Sequence, residues 1–154
     1  MKKLLILICA MALALSGVAI GATKGKKTTG VAYAGVTHAE GTGDNQRLFV
    51  SGDFKDSLLG RGGIVYITKA TATQTTGEYK VDAKKITIYT EKGSMTGKGS
   101  ATQVFNSDGS VEVKDGVFAL TKGTGKYKGH TFKGTFAGPQ TNGVYKFSYD
   151  AIYK

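Results

Sequence analysis

The stretch 115–138, DGVFALTKGTGKYKGHTFKGTFAG, decides how the rest of the chain is read. An apolar run, Val117, Phe118, Ala119 and Leu120, leads into Gly123, Gly125 and Gly129, after which Phe132, Gly134 and Phe136 recur at every second position. A period of two is the signature of a strand with one buried face. Glycine reaches positive backbone dihedrals and permits close chain approach, so Gly123, Gly125 and Gly129 predict a fixed structural turn between two strands.

Outward from this stretch the same punctuation repeats. Strand-like segments are predicted over 30–38, 48–54, 64–69, 78–82, 85–91, 94–105, 110–122, 130–137 and 143–153. Asp108-Gly109 and Asn142-Gly143 stand where hairpins would turn, because both dipeptides tolerate left-handed backbone. The one helical candidate, 54–59, is stopped at once by Gly60, Gly62 and Gly63. A single proline, Pro139, suits strands that stay hydrogen-bonded along their length. These features predict an all-β chain of antiparallel strands, a sandwich or a barrel. Its 154 residues suffice for one domain with a sizeable core.

The chain opens MKKLLILICAMALALSGVAIGATKGKK, with Lys2 and Lys3 ahead of an apolar run and small residues beyond it. That is the pattern of a secretory signal peptide over 1–22. It predicts a secreted or periplasmic protein with a polar, poorly ordered leader over 23–29 and a single β domain over 30–154. The run approaches the ~20 residues that span a bilayer, but Ser16, Gly17 and Gly21 weaken its second half, so no membrane span is expected after cleavage. Cys9 is the only cysteine. Cleavage therefore leaves none, which excludes disulfides, thiolate nucleophiles and thiolate metal sites.

The formal charge is +10, and loss of Lys2 and Lys3 from the 21 basic residues leaves 19 against 11 acidic ones, or +8. Such an excess favours anionic partners, although lysines spread along strands also serve solubility and blunt sheet edges. The one local cluster is Lys122, Lys126, Lys128, His130 and Lys133 around Tyr127, a basic surface with an interleaved aromatic of the kind that engages phosphates and stacks on rings. With an extracytoplasmic address, nucleic acid is not the expected partner; envelope polyanions rank ahead of it, and a solvated turn with no partner ranks ahead of both.

Catalytic and nucleotide motifs fail on spacing. Gly97-Lys98 and Gly125-Lys126 lack the upstream glycine and the following Ser or Thr of a phosphate loop. The 123–129 glycines are misspaced for a dinucleotide fingerprint and precede no helix. His38 and His130 have no companion at metal-ligand spacing, and no serine sits in a nucleophile elbow. Neither a metal nor a cofactor is expected, and His130 lacks a partner that would make it a base.

The last segment, GVYKFSYDAIYK, alternates most cleanly, with Tyr145, Phe147, Tyr149, Ala151 and Tyr153 on one face and Lys146, Ser148, Asp150 and Lys154 on the other. An aromatic face of this size is buried in a core or lines a cavity. Met95, Gly97, Gly99 and Ala101 put almost no volume on one face of their strand, which suits a bend or the close approach of a bulky group. If the interior holds a ligand, its candidate contacts are Tyr145, Phe147, Tyr149, Phe118 and Phe132.

Over Phe118, Thr121, Gly123, Thr124, Gly125, Tyr127 and Gly129 the chain resembles the allene oxide cyclase and dirigent superfamily, with Lys122 where many members carry another glycine. It looks like one of the small secreted bacterial relatives. The resemblance implies a closed antiparallel barrel of about eight strands with an apolar interior, often trimeric. In that superfamily the cyclases close a fatty-acid-derived intermediate by confinement, and dirigent proteins orient phenoxy radicals. The matching segment is scaffold, so no catalytic residue is carried over. The leading expectation is a barrel that binds a small apolar or amphipathic molecule. The alternatives are a cyclase-like isomerase using the same cavity and a basic envelope protein that binds polyanions.

Export is directly checkable. The mature N-terminus is expected within a few residues of Thr23, and an intact mass of exported protein that retains Met1 or Cys9 would show otherwise.

Overall fold

The computed structural model describes residues 24–42 and 46–154, so the segment read as a signal peptide, 1–22, lies outside the described residues. Eight strands follow one another: β1 (Lys26–Glu40), β2 (Arg47–Asp56), β3 (Gly60–Ala72), β4 (Glu78–Thr90), β5 (Gly93–Phe105), β6 (Val111–Gly123), β7 (Phe132–Thr141) and β8 (Val144–Tyr153). Each pairs antiparallel with the next, and β8 returns to pair with β1, closing the barrel. Closure satisfies the backbone groups that an open edge would leave unpaired. Among the described residues no helix is long and apolar enough to cross a membrane.

Two expectations change. The polar leader over 23–29 is partly strand: Lys26, Lys27, Thr28 and Thr29 pair with Tyr153, Ile152, Ala151 and Asp150, so the barrel begins before residue 30. Without these residues the corner end of β8 would lack a partner on that side. The nine segments become eight because 78–82 and 85–91 are one strand, β4, with an irregularity between Ala83 and Ile86. Val81 and Ala83 line the interior, and so do Ile86 and Ile88. Lys84 and Lys85 are both exposed between them. The extra residue shifts the inward phase by one, and in sequence a phase shift reads as a break.

Turn chemistry follows the sequence closely. Asn142 (φ 52°) and Gly143 (φ 78°) are both left-handed, as a two-residue hairpin turn needs. At the β5–β6 hairpin only Gly109 (φ 81°) is. Asp108 acts there through its side chain, accepting from the Ser110 hydroxyl at 2.6 Å and the Ser110 N–H at 2.9 Å. Those bonds hold its carboxyl below the ordinary range. The weak helical candidate at 54–59 is instead the end of β2 and its turn.

The glycine corner between β6 and β7 is a short 3₁₀ turn, Gly125–Tyr127. It is anchored on the β4–β5 hairpin: the Thr124 N–H donates to the Ser94 carbonyl (2.8 Å) and the Lys126 N–H to that of Lys92 (2.9 Å). Tyr127 turns inward and, with Met95, Leu120, Phe132 and Leu59, seals this end of the barrel; Met95 is 0% exposed and Tyr127 3%. The Tyr127 hydroxyl meets the Thr90 hydroxyl at 2.8 Å.

Gly125 (φ 56°) and Gly129 (φ 81°) separate two costs at this corner. A Cβ at Gly129 would meet nothing within 4 Å, whereas one at Gly125 would strike the Lys92 carbonyl oxygen. Gly129→Ala is therefore expected to lose about 1 kcal/mol for the left-handed backbone alone, and Gly125→Ala about 1 to 2 kcal/mol more for the clash. Urea midpoints check this ordering, and equal shifts would mean that the corner yields.

Candidate ligand cavity

The strand register sends alternate side chains of all eight strands into the lumen, and they do not fill it. A cavity of about 120 Å3 remains, with Phe118, Phe132, Tyr145, Phe147 and Tyr149 all in its wall. The five candidates chosen from sequence are thus brought together. Their rings pack on one another: Phe118 lies 5.2 Å from Phe132 and 6.0 Å, edge-on, from Tyr149, while Tyr145 stacks on Phe147 at 5.5 Å. Edge-on and offset contacts of this kind suit the ring quadrupole.

The opposing wall is aliphatic, with Val50, Ile64, Ile86, Ile88 and Ala101 among its residues. Gly99 contributes the small inward face expected of β5, and a Cβ there would lie 2.8 Å from Ile86 Cδ1. The corner end is sealed. At the other end the wall includes Leu48 and Val81, which are half-buried, as are Ile64, Phe118 and Tyr149 along its length.

Sequence reasoning missed Gln103 and Tyr66. Both line the cavity, and both fall on the inward parity of their strands, Gln103 two residues after Ala101 and Tyr66 two after Ile64. That alternation was the available signal. Gln103 donates from its amide to the Tyr145 hydroxyl at 3.1 Å, linking β5 to β8 across the lumen. Burial pushes the Tyr66 phenol well up, and the neighbouring Tyr145 adds to the shift. Burial also raises Tyr145, although the Gln103 donor pulls the other way.

Beside the wall sits a second polar group, buried Asp56. Its Oδ1 accepts from the Thr28 hydroxyl (2.8 Å) and from the Leu58 and Leu59 N–H groups (2.7 Å each). Its Oδ2 accepts from the Tyr149 hydroxyl at 3.0 Å. Burial, and then the Asp56 carboxylate, push the Tyr149 phenol far up. This cluster ties β1, the β2–β3 turn and β8 together, and its chemistry is structural: every donor aimed at the carboxylate belongs to the barrel itself.

The basic cluster needs a correction. Lys126, Lys128 and Lys133 are exposed, as expected of a basic surface. Tyr127 is buried, however, and gives no stacking platform, because the 3₁₀ turn points its ring into the barrel end. His130 stacks on Tyr153 at 4.8 Å and its Nδ1 lies 3.0 Å from the Lys154 carbonyl. Among the described residues there is no group of three His, Cys, Asp or Glu that could hold a metal ion.

Comparison with protein-family models, curated proteins and solved structures finds no match. The class rests on the geometry: a closed, eight-stranded antiparallel barrel with an apolar internal cavity.

The interior tyrosines give a pH prediction. Tyr66, Tyr145 and Tyr149 have phenols raised above their unfolded value, so the folded state favours the neutral form. Their contribution to stability is fully present below about pH 10, the unfolded value, and is lost as pH rises above it. Tyrosinate absorbance followed through an alkaline titration should therefore include a component that appears only together with loss of the sheet signal. Complete ionisation with the sheet intact would contradict this.

Proposed function

We propose that this is a secreted or periplasmic barrel that holds a small apolar or amphipathic molecule in its interior and does not transform it. The observation that carries the reading is the cavity itself. An eight-stranded barrel is narrow enough for side chains to fill, yet this one keeps about 120 Å3 free behind a carbon wall. An apolar cavity of about 150 Å3 in another protein stays dry and takes up benzene, so a molecule of roughly one ring is the matching size.

Two observations favour holding over catalysis. The cavity wall carries no carboxylate, imidazole or amine among the described residues. The nearest carboxylate, Asp56, is committed to four donors of the barrel. A fatty-acid-derived substrate, as the family resemblance would suggest for a cyclase, is also long for this volume. The exposed lysines favour the polyanion alternative only through their charge, since their aromatic neighbour is buried.

Filling the cavity tests the reading. Ala101, 8% exposed, faces the lumen, and Ala101→Leu would occupy much of the free space. With toluene as the probe and NMR shifts as the readout, the native barrel is expected to bind and Ala101→Leu to lose at least tenfold in affinity. Replacing Lys126, Lys128 and Lys133 together by Ala should leave binding unchanged, and added salt should not weaken it, because no counterions are released when apolar area is buried. Binding that survives Ala101→Leu, or that disappears with the lysines, would reject the interior site.

A further inference from the structure

We propose that the cavity selects uncharged molecules about the size of one ring that bear a single hydrogen-bonding group, and that Gln103 and Tyr145 hold that group. This rests on the binding reading above and adds the chemical class and orientation of the ligand.

The polar atoms of the wall are not spread evenly. The corner half is ring and aliphatic carbon, from Leu120, Phe132, Phe118 and Ile88, apart from the Tyr149 hydroxyl, which is committed to Asp56. Gln103, Tyr145, Tyr66 and Thr68 lie toward the end opposite the corner. In the Gln103–Tyr145 bond the amide donates. The Tyr145 O–H and the Gln103 carbonyl oxygen are therefore left as one donor and one acceptor uncommitted among the described residues. A ligand hydroxyl, carbonyl or amide can answer either of them while its ring occupies the carbon half.

The same wall rejects charge. No lysine, arginine, histidine, aspartate or glutamate lines the cavity among the described residues. An ion would leave water for phenol and amide dipoles alone, and unpaired buried charge is among the costliest states a protein interior can hold. The raised phenols of Tyr66 and Tyr145 reflect that environment acting on the barrel's own side chains.

Stability alone does not explain the pair. Two apolar side chains of the same shape in place of a buried hydrogen-bonded pair are nearly neutral or stabilising. Gln103, 7% exposed, and Tyr145, 6% exposed, are such a pair. Their polarity does something that packing does not ask for, namely to orient a polar ligand across the lumen.

The test uses the mature barrel with toluene, benzyl alcohol, benzylamine and benzoate at neutral pH, titrated by calorimetry or NMR. In a purely apolar cavity the alcohol would bind much more weakly than toluene, because its hydroxyl would lose water without replacement. Here the alcohol is expected to bind within about threefold of toluene or tighter, and the amine and carboxylate not to bind at concentrations that saturate the alcohol. Gln103→Leu and Tyr145→Phe, checked for an intact near-ultraviolet signal, should each weaken the alcohol on the order of tenfold while leaving toluene within about twofold. An alcohol affinity that neither variant lowers, or benzoate binding as tightly as the alcohol, would overturn the inference while the cavity reading stands. Failure of toluene itself would overturn both.

Discussion

Everything in this molecule depends on closing eight strands into a circle whose lumen is too narrow for an unbroken lining of large side chains. Tyrosine and phenylalanine rings from β6, β7 and β8 project into that space, and they fit because small residues face them. A Cβ at Gly116 would lie 2.7 Å from the Phe136 ring, one at Gly62 2.7 Å from Phe54, and one at Gly30 against the Tyr149 hydroxyl. Inward glycine is thus the complement of inward aromatic, strand by strand. The cavity is the remainder of that fit, with Gly99, Ala101, Ile86 and Phe118 among the residues that bound it.

The polar groups inside the barrel divide by the company they keep. Asp56 is held by donors from β1, its own turn and β8, so its burial costs little and it locks the closing strand in place. Gln103 and Tyr145 are joined by one bond and line the cavity. Polarity bonded to the barrel's own backbone and polarity that lines the cavity thus sit in different parts of one interior. The sealed corner end supplies rigidity.

Much of this was legible in sequence because strands write their burial with a period of two. From the aromatic face of β8, Tyr145, Phe147 and Tyr149 line the cavity, as do Gly99 and Ala101 from the small face of β5 and the Phe118 and Phe132 positions, while Met95 and Ala151 are buried outside its lining. The same rule would have found Gln103 and Tyr66, but a polar or mixed residue on an inward parity is easily taken for a lapse in the pattern. The rule fails where the phase slips. At Ala83–Ile86 one strand looked like two, and at Thr28 a polar residue looked like leader, although it is 4% exposed and bonded to Asp56.

The sequence by itself determined the strand content, the hairpin turns at Asn142-Gly143 and Gly109, and the identity of most inward residues, because these are local matters of backbone dihedrals and alternation. Only the tertiary structure decided that the strands close with β1 on β8, that Tyr127 plugs one end instead of standing among the lysines, and that Gln103 reaches Tyr145 from 42 residues away. Each of these turns on which residues meet across the barrel, and that is set by the register and curvature of the whole sheet. No window of neighbouring residues contains that information.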